Sequence, residues 1–118
     1  AIAASGTIIM EASIINTPAI MAYKISAVTY FIAKHIVKIK LPYFTMPNII
    51  ANKMIVPEIM QSEATGQNIA DKAVQLLTDQ EAIKNIKEGY RQVRSRLGAP
   101  GAVKRAAEEI MSELRGRI

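Results

Sequence analysis

Ser5-Gly6-Thr7 and Glu11 are the residues of this chain whose types and spacing could do chemistry. A Ser-Gly-Thr turn between a strand and a helix leaves the first amide N–H groups of the helix without partners, and the helix dipole favours an anion there. Glycine lets a phosphate come close to the backbone. Glu11 follows Gly6 by five positions, roughly one helical turn further in, where a carboxylate can accept hydrogen bonds from ribose hydroxyls. Together the four residues could hold a nucleoside diphosphate. The same residues also make an ordinary helix start, since serine and threonine cap helices and a glutamate near the N-terminus is favoured electrostatically.

The surrounding pattern supplies the elements that would position them. Ala1–Ala4 reads as a strand end, and Ile8, Ile9, Ala12 and Ile15 recur at helical spacing as far as Pro18. The apolar run Ala19–Tyr23 is short enough for a buried parallel strand, which makes a βαβ unit. From Ser26, the spacing of Val28, Phe31, Ile32, His35, Ile36 and Ile39 predicts one amphipathic helix with Lys34 and Lys38 near its C-terminus. Residues Leu41 to Asn48 read as an extended loop with a short strand at Tyr43 to Thr45, and a short helix is expected around Pro57-Glu58. Three helices are predicted to finish the chain, over Gln67 to Leu77, Glu81 to Leu97 and Gly101 to Leu114. Asp79 caps the second, Gly98 ends it, and Pro100 suits the first turn of the third. The organisational boundary falls near residues 62–66, so residues 1–65 form the βα part and residues 66–118 the helical tail.

Bulk composition narrows the classes. The 118 residues are 50% hydrophobic and 21% charged, too apolar for a disordered tail, and the apolar runs are broken by Glu11, Pro18 and Lys24 before they reach the length of a membrane span. There is no cysteine and only one histidine, His35, which excludes disulfides and thiolate metal sites. A net charge of +5 favours an anionic partner. Aromatic residues are 5% of the chain and no basic run is interleaved with them, so a stacking platform for nucleic acid is not expected. The opening Ala-Ile-Ala-Ala-Ser-Gly-Thr has no initiator methionine and no basic region ahead of an apolar stretch, so it is not a signal peptide, and the chain is expected to be truncated.

The chain resembles the lipid-A-disaccharide synthase family of GT-B glycosyltransferases. The residues that carry the likeness are Ser5-Gly6-Thr7 with Glu11, Thr17-Pro18, Tyr23, Thr29-Tyr30, Ala33-Lys34, Val37-Lys38, Pro47-Asn48, Ala51, Val56-Pro57-Glu58 and Gln61, in order and spacing from Ser5 to about Thr65. The turn and glutamate alone are shared by several UDP-sugar enzymes; the middle block is the specific part. Asn52 stands where the family has glycine and Lys53 where it has arginine. Asparagine is the least costly substitute if that backbone needs a positive φ, whereas lysine loses the bidentate fork.

The resemblance implies an α/β fold: the partial Rossmann-like C-terminal half of a GT-B enzyme followed by an α-helical tail, with the N-terminal acceptor domain absent. It implies UDP binding by Ser5, Gly6, Thr7 and Glu11, and substrate contacts at Asn48 and Tyr23. The whole enzyme would transfer 2,3-diacylglucosamine from UDP to 2,3-diacylglucosamine 1-phosphate, with inversion and with no metal or other cofactor. Its general base would lie in the absent domain, so the isolated piece would be inactive. A peripheral site on the cytoplasmic face of the inner membrane, no nucleic-acid partner, and a homodimer through the C-terminal helices complete the expectation. The rivals are another GT-B enzyme of UDP-N-acetylglucosamine, a lipid-linked transferase or the 2-epimerase, and a basic helical interaction module.

Overall fold

In a computed structural model, residues 1–4, 6–32 and 42–116 are described. Three short parallel strands, β1 (Ile2–Ala3), β2 (Ile20–Tyr23) and β3 (Glu58–Met60), lie side by side in that order. Ile2 pairs with Ile20, and Tyr23 pairs with Met60. Around them are α1 (Thr7–Ile14), α2 (Ala27–Phe31), α3 (Met46–Ala51), α4 (Gly66–Thr78), α5 (Gln80–Leu97) and α6 (Ala102–Gly116), with a 3-10 turn at Gln61–Glu63. The expected mixed α/β architecture with a helical tail is what forms.

The core is the buried face of β2 and β3 closed by α1 and α5. Ile9 and Ala12 come from α1, Ile20 and Met21 from β2, Val56 and Ile59 from the third strand and its approach, and Ile86, Tyr90 and Val93 from one face of α5. Tyr90 and Val93 are completely buried. Gly89 lets α5 come close: a β-carbon there would stand 2.6 to 2.9 Å from three atoms of the Ile55 side chain. Because α4 and α5 share this core with the sheet, the boundary near residues 62–66 is a change of element type within one packed unit. α6 buries none of its residues, and Val103, Ile110, Met111 and Leu114 are exposed along it.

Several expectations are corrected. Leu41 to Asn48 contains no strand among its described residues, and α3 begins at Met46 with Pro47 in its first turn. A proline there loses nothing, because the N–H it lacks would have no partner in the helix, but six residues are too few to show a period. After Pro57 the chain forms β3 instead of a helix, since backbone pairing with β2 decides the state of so short an apolar run. The sheet therefore takes its third strand from Glu58–Met60 and not from Tyr43 to Thr45. Pro100 lies two residues ahead of α6 and outside its first turn. The basic helix expected from Ser26 is described only over Ala27–Phe31; Lys34, His35 and Lys38 lie outside the described residues. Asp79 does cap α5, its carboxylate accepting from Glu81 and Ala82 amides at 2.9 and 3.0 Å. Asn52 ends α3 in the left-handed region, φ 53°, which explains how it stands in for glycine.

Candidate functional site

β1, β2 and β3 run parallel, so their carboxyl ends fall along one edge of the sheet. In open parallel sheets ligands bind in the crevice outside that edge. Ala4 leaves β1 there, Tyr23 and Lys24 leave β2, and Gln61 leaves β3.

The turn after β1 has the form an anion site needs. Gly6 is the residue before α1, at φ 131° and ψ −156°, a backbone region that residues with a side chain seldom adopt. Among the described residues no side chain caps the helix. A β-carbon on Gly6 would meet nothing within 4 Å, so the glycine is required by conformation and the space in front of it is open. Thr7 and Glu11 are both exposed, Glu11 on the second turn of α1. Ser5 lies outside the described residues. The far end of α1 is anchored: the Arg94 guanidinium donates to the Ser13 carbonyl at 2.8 Å, where the dipole favours a cation. Arg96 does the same for α3 through the Ile50 carbonyl. α5 thus braces both helices from behind, leaving the front of α1 unencumbered.

Tyr23 closes β2 at this edge and is 40% exposed. Lys24 is exposed beside it, and Lys53 is exposed beyond α3.

Asn48 is placed differently from the expectation of a loop residue facing substrate. It lies inside α3 and is fully buried. Its Oδ1 accepts from the Ile55 and Val56 amides at 2.7 and 2.8 Å, and its Nδ2 donates to the Val56 carbonyl and to Glu58 Oε1, both at 2.8 Å. Nδ2 also lies 3.3 Å from Met54 Sδ, so each polar atom of the side chain is spent on the backbone, on Met54 and on Glu58. Glu58 in turn accepts from the Phe44 amide at 3.0 Å, the Thr45 amide at 2.8 Å and the Thr45 hydroxyl at 2.9 Å. This knot fastens the start of α3 to the start of β3, and the asparagine acts as a splice between them.

Two roles escaped sequence reasoning. Glu58 was legible only as part of the Val56-Pro57-Glu58 block, and the organising role it has needs the fold to bring Thr45 to it. Gln61 was one residue in a motif; the structure puts it at the carboxyl end of β3 with its amide oxygen bonded to the Ile25 N–H. Among the described residues no group of three or more His, Cys, Asp or Glu is placed to hold a metal ion, and no helix is long and apolar enough to cross a membrane.

The family model for lipid-A-disaccharide synthetase matches residues 1–113. The chain belongs to the lipid-A-disaccharide synthetase family. Its relatives include the lipid-A-disaccharide synthase of Synechocystis sp., 36% identical over 99% of this chain and 30% of that protein. Those of Sulfurihydrogenibium sp. and Solibacter usitatus are 44% and 40% identical, over 93% and 100% of this chain and 28% and 31% of theirs. The chain thus spans about three-tenths of the length of the curated synthases it matches. Membership in this family extends past the motif block to α4, α5 and most of α6, so the helical tail is part of what the synthetases share.

Proposed function

We propose that this chain supplies the nucleotide-sugar side of a lipid-A-disaccharide synthase, which transfers 2,3-diacylglucosamine from UDP to 2,3-diacylglucosamine 1-phosphate. The observation that carries the reading is the open start of α1: a positive-φ glycine, no capping side chain among the described residues and an exposed glutamate one turn on, in a chain of this family. Amides of the first turn, from Thr7 onward, would bind the diphosphate, with Ser5 beside them. Glu11 would accept from the ribose, and Tyr23 would border the donor. As the bond to UDP breaks, negative charge grows on the leaving phosphate, and fixed amide dipoles aimed at it lower the barrier without reorganising.

Asn48 serves this site by holding the α3 to β3 junction, with no polar atom left over for substrate. The base that takes the acceptor's proton lies in the remainder of the protein, inversion follows from a single displacement, and no metal is needed where amides carry the leaving-group charge. The isolated chain would then bind UDP without turning over. The exposed apolar faces of α2 and α6 fit a peripheral position on the cytoplasmic face of the inner membrane and a homodimer built through the C-terminal helices.

Titration of the full-length protein with UDP tests the reading. Gly6→Val and Glu11→Ala should each weaken binding about tenfold or more, as expected when charge-assisted hydrogen bonds are lost. Wild-type affinity in both variants would sink it. Binding by the full-length protein that falls steeply with salt, ignores both substitutions and extends to nucleic acid would favour the basic-module rival.

A further inference from the structure

Met60 lies in register with Tyr23, so Lys24 and Gln61 are the next residues beyond the sheet on neighbouring strands, at the edge where Gly6 begins α1. Gln61 has a φ of 54°. Positive φ is uncommon in residues with a side chain, and such backbones persist where the surroundings over-determine them, often beside functional sites. The side chain accounts for its retention. Gln61 Oε1 accepts the Ile25 N–H at 2.9 Å, across 36 residues of sequence. Ile25 leads directly into Ser26, whose hydroxyl oxygen accepts the Thr29 amide at 3.1 Å and caps α2. Among the described residues this is the one side-chain hydrogen bond tying the connection from β2 to α2 onto the third strand. That connection starts at Tyr23 and Lys24, the side chains that border the carboxyl edge next to the α1 turn.

We infer that Gln61 is a positioning residue for the nucleotide sugar, acting through the Ile25 amide to hold the Tyr23–Ser26 connection against the mouth of the site. The inference rests on the reading that the carboxyl edge holds UDP. It requires the acceptor oxygen of residue 61 and nothing else of its side chain. A glycine would suit the backbone better than glutamine does; what glycine lacks is the tether.

The test is carried out in the full-length protein with three readouts: UDP affinity, KM against kcat for the UDP-sugar, and thermal stability. Gln61→Gly should keep or raise the melting temperature, because it relieves the backbone, while UDP dissociation and donor KM rise about fivefold, the size of one ordinary hydrogen bond. Gln61→Glu keeps an acceptor for Ile25 and should stay within about twofold of wild type on the same scale. Wild-type UDP affinity in Gln61→Gly overturns the inference. So does a Gln61→Glu variant as impaired as Gln61→Gly, because the acceptor would then not be what matters, and so does a Gln61→Gly variant that loses stability and kcat together, as a purely structural role requires. Failure of the two readings is separable: a wild-type protein that does not bind UDP removes both, whereas UDP binding that Gly6→Val abolishes and Gln61→Gly leaves intact removes only this one.

Discussion

Glu11 and Asn48 are polar side chains on two short helices that both follow a turn, yet Glu11 faces solvent at the front of α1 while Asn48 is buried and bonded to Ile55, Val56 and Glu58. Around Glu11 the first-turn amides have no side-chain cap among the described residues, and the glycine before them faces open space. Around Asn48 nothing is left over. An unsatisfied cluster at a surface can bind something, whereas a satisfied one in the interior can only hold something. Two residue types equally able to touch a sugar are thereby sorted by the fold, one left exposed and one built into the interior.

The contrast can be broken most forcefully at Asn48. Asn48→Ala strands the Ile55 and Val56 amides and removes a donor from Glu58, so the fold should lose about 3 to 5 kcal/mol, read by urea denaturation. If that variant instead keeps its stability and loses only turnover, Asn48 is a substrate residue and the contrast is wrong. A smaller effect is expected at Tyr90, on the buried side of α5. Burial raises its phenol to about 12, offset only partly by the Ala19 backbone, and the hydroxyl lacks a hydrogen-bond partner of good geometry among the described residues. The folded chain then holds a proton that the unfolded chain gives up near pH 10. The stabilisation is complete below pH 10 and is lost as pH rises through 12, at no more than roughly 1.4 kcal/mol per pH unit, and Tyr90→Phe should flatten that loss in alkaline denaturation curves. The smallest effect on stability belongs to Glu11: Glu11→Ala should change the unfolding free energy by no more than about 0.5 kcal/mol, as exposed substitutions do, even while it weakens UDP binding. Substantial destabilisation there would mean that the glutamate is structural.

The sequence was legible where a signal is local. The Ser-Gly-Thr turn, the strand after Pro18, the Asp79 cap and the three closing helices rest on residue types and periods that neighbouring residues set between themselves. The illegible parts are those that distant chain segments decide. β3 is three residues long and becomes a strand because Met21 and Tyr23 are beside it, and α3 is too short for its period to be seen. Asn48 looked like a loop residue because its partners, six to ten positions on, lie across a turn that no spacing rule predicts. In the candidate site, the helix start behind Gly6 and the exposure of Glu11 could be read from sequence, but the direction in which an asparagine points could not.

Arg94 gives the helix behind the Gly6 turn a property of its own. α1 is eight residues, about 12 Å of helix. A guanidinium sits on the carbonyl pole, and the proposed diphosphate would sit on the amide pole. Each charge complements the end of the dipole it meets, and the two opposite charges attract each other along the axis, so an empty front leaves this little rod electrically lopsided and a bound anion completes it.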